Sequence, residues 1–209
     1  VRVLVQSGHQ ASTDRQEMLA HACQGKLEKK MRPILLDLDD TLVDDHSSTK
    51  IAFEAFVAAH RDRLGNHPVS SLLDRWRTTL RRFWFQYEQG TISFLEQRRL
   101  RVRAFFADDL TDAQADDAFV PYLRAYESSW KLLPGVSDFL ARTEHIPKVI
   151  LTNGDREQQL NKARNTGLLG HVVSVVTPAD CGNWKPKPDM FIAGARILGV
   201  PPQSCIMVG

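Results

Sequence analysis

Short, unbroken apolar runs that alternate with helical stretches constrain this chain more than any other feature. After "LLPGV" the order is "KVILTN", a helical pattern through "DREQQLNKARNTG", "HVVSVVT", a second helical pattern through "KPDMFIAGARILG", and then "CIMV". A strand, a helix and another strand in repeated order imply a parallel sheet joined by right-handed crossovers. The run Ile34-Leu35-Leu36 belongs to the same set. It is continuous rather than alternating, which suits a central parallel strand covered on both faces. "CIMV" likewise reads as a buried strand, and Gly209 after it as the start of a loop.

Between these strands, from Ser47 to about Trp130, the spacing is helical. The segments are "STKIAFEAFVAAHRDRL", "VSSLLDRWRTTLRRFWFQYEQG", "SFLEQRRLRVRAFF" and "DAQADDAFVPYLRAYESSW". Apolar residues recur on one face of the first, at Ile51, Phe53, Phe56 and Ala59, and Gly65-Asn66-His67-Pro68 stops it. Four helices in succession predict a bundle. The expected architecture is a Rossmann-like parallel sheet core, residues 31–44 and 132–209, with a four-helix cap inserted over residues 45–131. Residues 1–30 show weak periodicity and no strand, and are expected to be a poorly ordered extension; Met31, where a strand begins almost at once, looks like a natural first residue. Trp76, Leu80, Phe83 and Trp84 fall at helical spacing and are expected in the core of the inserted block. Its arginines, Arg75, Arg77, Arg81, Arg82, Arg98, Arg99, Arg101 and Arg103, are expected mostly on solvated faces.

Bulk properties narrow the function. The net charge of +2, from 27 basic and 25 acidic side chains in 209 residues, argues against a nucleic acid or anionic membrane partner. No apolar run approaches the roughly 18 residues of a membrane span, and no secretory leader is recognisable, so a cytosolic protein is expected. Cys23, Cys181 and Cys205 are far apart and odd in number, which suggests neither a disulfide framework nor a zinc site.

The chemistry concentrates at strand ends, where open α/β sheets bind ligands. In "LLDLDDTLVDD" residues two apart point the same way in an extended chain, so Asp37, Asp39 and Thr41 share a face, with roughly 6 to 7 Å between alternate Cα atoms. Asp40, Asp44 and Asp45 read more simply as turn and capping residues. Thr152-Asn153-Gly154 closes the next strand and offers a hydroxyl beside a glycine that permits close backbone approach, a combination suited to an anionic oxygen. Lys185 precedes Pro186, just before a helix whose first turn holds Pro188 and Asp189, and can neutralise a phosphate or a crowded carboxylate.

The ordered set D-x-D-x-T, T-N-G and K-P-x-P-x-x-F is far more specific than any member of it. With these motifs the chain from Met31 to Gly209 resembles the haloacid dehalogenase superfamily, in particular phosphatases with a helical cap between the first two motifs. "ILTNGDREQQLNKARNTGL" and "KPKPDMFIAGARILGVPPQSCIMVG" look especially like pyrimidine 5'-nucleotidases and N-acylneuraminate-9-phosphatases. The resemblance implies that Asp37 is the nucleophile, forming an aspartyl-phosphate, and that Asp39 protonates the leaving oxygen and then activates water. Thr152, Asn153, Gly154 and Lys185 would bind the substrate phosphate, with Lys185 also holding the nucleophile. Magnesium would be bound by Asp37, by the backbone carbonyl of Asp39 and by an acid from a fourth motif. The substrate would be a small phosphorylated metabolite, a nucleoside monophosphate or a sugar phosphate. Dehalogenases of the superfamily expel halide, which needs no proton, and lack an acid at the position of Asp39, so Asp39 argues for phosphate ester hydrolysis.

In the resembling family the strand equivalent to "CIMVG" runs directly into an aspartate. The further metal ligand is therefore expected beyond Gly209, in a longer product from which this sequence is C-terminally truncated. Without it the last strand is expected to keep an uncovered face and edge. The alternative reading, from a different class, is a catalytically inactive module that keeps Asp37, Thr152 and Lys185 to bind phosphate.

Overall fold

A computed structural model describes residues 31–209; residues 1–30, with the expected extension and Cys23, lie outside the described residues. The described chain divides into two compact units, one made of residues 31–44 and 131–209 and the other of Asp45–Trp130.

The first unit is built on four parallel strands in the order β3-β2-β1-β4: β1 Ile34–Leu36, β2 Lys148–Leu151, β3 Ser174–Val176 and β4 Ile206–Val208. Leu35 lies opposite Val149 on one side and Met207 on the other, so β1 is central. β1 and β2 are buried along their whole length, as continuous apolar runs between two neighbours require. The last strand reads as buried from its apolar run alone, but it keeps the uncovered face and edge expected of it: Cys205 is buried, whereas Ile206, Met207 and Val208 are 42%, 37% and 37% exposed, and among the described residues β4 pairs with β1 alone.

After β2 comes helix Arg156–Asn165, and after β3 helix Pro188–Ile197. The latter approaches the sheet so closely at Gly194 that an added Cβ would lie 2.9 Å from methyls of both Leu35 and Leu151. Its Met190 and Ala195 join Leu35, Val149, Leu151 and Val176 in one core cluster. Two short helices, Val136–Arg142 and Pro178–Cys181, were not expected. The first buries only Val136 and Leu140 and starts at Gly135 without a side-chain cap, so it carries neither an apolar stripe nor a start signal.

The second unit holds the four long helices the spacing predicts, Asp45–Ala59, Val69–Glu88, Phe94–Phe106 and Asp112–Ser128, with a single turn at Arg61–Leu64. Ser93 caps the third of these and a Thr111–Gln114 capping box opens the fourth. Phe53, Phe56, Trp76, Phe105, Phe119 and Tyr122 form the core. Trp76 and Phe83 are buried as expected, while Leu80 and Trp84 are half-buried. The arginines divide by helix: Arg75, Arg77, Arg81 and Arg82 are exposed, whereas Arg98, Arg99 and Arg103 are half-buried and Arg101 is buried. Arg101 stacks its guanidinium 4.3 Å from the Trp76 ring centre, and burial pushes its pKa below the usual arginine value.

In chain order the helices are hereafter α1 (Asp45–Ala59), α2 (Arg61–Leu64), α3 (Val69–Glu88), α4 (Phe94–Phe106), α5 (Asp112–Ser128), α6 (Val136–Arg142), α7 (Arg156–Asn165), α8 (Pro178–Cys181) and α9 (Pro188–Ile197).

Candidate active site

The carboxyl ends of β1 and β2 and the loop before α9 meet in the first unit. β1 ends at Leu36, and the Asp37 N–H still donates to Val208 O at 2.9 Å, so Asp37 is anchored by the sheet just beyond its last residue. Leu38 turns fully inward, which leaves Asp37 and Asp39 on the opposite side with about a third of each side chain exposed. The alternation does not run on to Thr41. Asp40 takes φ 56°, and Leu42 N and Val43 N both fold back onto Leu38 O. Thr41 returns to the site by that turn: its Oγ1 lies 3.3 Å, and Asp37 Cβ 2.5 Å, from where a Cβ on Gly209 would sit. Only a residue without a side chain lets the end of β4 pass Asp37 so closely.

Asp37 Oδ1 accepts from Leu38 N at 2.8 Å and pairs with Lys185 Nζ at 2.6 Å. Lys185 Nζ also donates to Leu151 O at 2.8 Å, and its side chain is only 13% exposed. Two acceptors thus fix the ammonium between the ends of β1 and β2. The backbone of Lys185 is held as firmly: Asn153 Nδ2 donates to Lys185 O at 3.0 Å, and Lys185 N donates to Asn153 Oδ1 at 2.7 Å. Asn153, expected among the phosphate-binding residues, uses its side-chain amide to carry Lys185 into place.

Thr152 is buried at the end of β2, and its Oγ1 accepts from Gly154 N at 3.3 Å. Gly154 has a role the sequence did not suggest. A Cβ there would lie 2.0 Å from Gln159 Nε2, so the glycine opens the path by which Gln159 reaches across the turn. Gln159 Nε2 donates to Asp39 Oδ2 at 2.6 Å and to Thr152 Oγ1 at 2.9 Å, while Lys162 Nζ forms an ion pair with Asp39 Oδ1. Both residues come from α7 and are buried, at 1% and 0% exposure. Sequence reasoning missed them. Their signal was present, since "REQQLNKARN" offers only Leu160 and Ala163 as apolar residues. A helix so poor in apolar residues that covers a sheet must bury polar ones.

Among the described residues no three His, Cys, Asp or Glu side chains cluster as a metal centre. The donors that the resemblance implies for a cation are the Asp37 carboxylate and the carbonyl of Asp39. These are hard oxygen donors of the kind magnesium takes while keeping several waters, so they fit it as part of a shell.

A carboxylate paired with a largely covered lysine at the carboxyl end of a parallel sheet is the arrangement the motifs led one to expect, and the class of protein is an α/β hydrolase. The chain belongs to the haloacid dehalogenase-like hydrolases, whose family model matches residues 31–209. It is 36% identical over 200 residues to the human (Homo sapiens) N-acylneuraminate-9-phosphatase, with 86% of this chain and 74% of that protein covered. The crystal structure of the L-2-haloacid dehalogenase PA0810 superposes with a TM-score of 0.62 at 25% identity, covering 85% of this chain and 75% of that one. The magnesium-bound HAD-hydrolase YfnB from Bacillus subtilis has the same fold, with a TM-score of 0.59 at 22% identity over 78% of this chain and 70% of that one.

Proposed function

We propose that the chain is a magnesium-dependent phosphomonoester hydrolase acting on a small phosphorylated metabolite through an aspartyl-phosphate intermediate. The observation that carries this reading is the second carboxylate. Asp39 stands two residues beyond the nucleophile candidate and shares the Gln159 amide with Thr152 at the end of β2. Expelling halide needs no such group, whereas an alkoxide leaving group needs a proton, and a positioned acid contributes about 10² to 10⁴ in rate.

The Asp37 carboxylate attacks phosphorus with the ester oxygen leaving opposite. The bond from phosphorus to that oxygen breaks, and the oxygen takes a proton from Asp39, which enters this step as the carboxylic acid rather than as the carboxylate paired with Lys162 in the substrate-free site. Water then attacks the phosphorus of the acyl phosphate and gives its proton to Asp39. The phosphorus–Asp37 bond breaks, releasing phosphate and restoring both carboxyls. A carboxylate approaching a phosphate dianion meets charge repulsion, and Lys185, held on Asp37 Oδ1, lies where it offsets that repulsion. Thr152 and the backbone of Asn153 would hold the phosphoryl oxygens, while the Gly154 N–H is committed to Thr152 Oγ1. Magnesium held by Asp37 and the Asp39 carbonyl would supply further neutralisation of the phosphoryl charge.

Nucleoside monophosphates and sugar phosphates form the substrate panel, and the human relative adds N-acylneuraminate 9-phosphate to it. Phosphate release with added magnesium, abolished in Asp37→Asn, is the expected result. Saturable binding of inorganic phosphate with no turnover of any panel member would favour a phosphate-binding module instead.

A further inference from the structure

The α7 residues Gln159 and Lys162 do more than pack. Gln159 has two amide hydrogens, and the structure commits both, one to Asp39 Oδ2 and one to Thr152 Oγ1. The reversed amide would set its carbonyl against the Asp39 carboxylate, so this orientation is compelled. It leaves Gln159 Oε1 buried without a hydrogen-bond partner. A residue present only for packing would not need such an orphaned oxygen; a leucine would fill the space without one. Thr152 Oγ1, in turn, accepts from Gln159 Nε2 and from Gly154 N. With both acceptor positions filled, what the hydroxyl has left to offer is its own hydrogen, which must point away from both donors. Asp39 is held by its other oxygen through Lys162.

We infer that Gln159 and Lys162 are positioning residues: Gln159 couples Asp39 to Thr152 and aims the Thr152 hydroxyl hydrogen at a bound phosphoryl oxygen, while Lys162 fixes the Asp39 carboxyl. This inference rests on the phosphatase reading. It assigns the two residues different duties. Lys162 serves the leaving oxygen through Asp39, and Gln159 serves both the leaving oxygen and the phosphate.

The test uses the full chain and three variants, Lys162→Met, Gln159→Met and Gly154→Ala, the last displacing Gln159 while retaining it. Three quantities are read: the first-turnover rate of leaving-group release from glycerol phosphate, whose alkoxide needs a proton; the same rate from p-nitrophenyl phosphate, whose leaving group does not; and calorimetric binding of inorganic phosphate. Lys162→Met is expected to lower the first-turnover rate on glycerol phosphate about 10²-fold, change that on p-nitrophenyl phosphate by less than about threefold, and leave phosphate binding unchanged. Gln159→Met and Gly154→Ala are expected to show the same substrate contrast and, in addition, to weaken phosphate binding about tenfold. Equal losses on both substrates, or equal effects on phosphate binding in all three variants, would mark a structural role and overturn the inference. If the unaltered chain hydrolyses neither substrate, the phosphatase reading fails separately. Phosphate binding, with crystal structures showing whether Asp39 leaves its rotamer in Lys162→Met, then decides the inference: an unmoved Asp39 and uniform binding reject it.

Discussion

Gly154 shows how much one missing side chain settles. It belongs to the turn motif that drew attention in the sequence, yet its space is filled by Gln159 rather than kept open for a ligand. An alanine there meets the movable end of a flexible side chain, not backbone. Gly154→Ala is therefore expected to melt within a few degrees of the parent and still lose activity, which melting and kinetic measurements on one sample would check. A large fall in melting temperature would mean that the glycine serves the fold instead. Asp37, Asp39, Thr152 and Lys185 were legible because each stands at or beyond a strand end, or before a helix marked by prolines. Gln159 and Lys162 were not, because polar residues in a polar helix look solvated until the helix is seen to cover the sheet. Asn153 was legible as a site residue, but its bonds to Lys185 depend on a loop more than thirty positions away.

At the scale of elements, β2 and α9 carry the clearest physical tests. Lys148 opens β2 with its side chain buried, donating to Thr143 O and to Ile146 O at 2.8 Å beyond the end of α6. Burial pushes its pKa down from 10.5 to about 8, against the opposing pull of Glu144. Between those values the unfolded chain still binds the proton that the folded chain has released, so stability rises with pH across that window and is flat below it. In Lys148→Met this contribution disappears. Urea midpoints at pH 7, 9 and 10.5 should show the parent gaining on the variant as pH rises; parallel curves would contradict it. Gly194 lets α9 lie against Leu35 and Leu151. Gly194→Val is expected to destabilise by about 2 kcal/mol through overpacking, read from the same denaturant curves. No such contact could be read from the sequence, where Gly194 is one residue inside a helical pattern. The strands were legible as apolar runs, which by themselves do not tell edge from centre, since "CIMV" and "ILL" look alike; the uncovered edge of the last strand was expected from the resemblance instead.

At the scale of the whole molecule, the order of periods carried the architecture. A change from short apolar runs to helical spacing and back again marked a helical block within an α/β sheet protein, and the contacts divide the chain at Asp45 and Trp130. What the order could not carry was the interior of the helical block, where Arg101 lies buried among aromatic rings instead of on a solvated face. The fold and the family model name a hydrolase; the Asp37–Lys185 pair and the second carboxylate at Asp39 argue for phosphate esters as its substrates. The most direct test is phosphate release from the substrate panel with magnesium, run in parallel on the unaltered chain, Asp37→Asn and Asp39→Asn. The account predicts turnover by the unaltered chain, none by Asp37→Asn, and in Asp39→Asn a loss of about 10² or more on substrates with alkoxide leaving groups, with a loss on the others too because Asp39 also takes the proton of the attacking water. Undiminished turnover in Asp37→Asn, or none by the unaltered chain on any phosphomonoester, would contradict it.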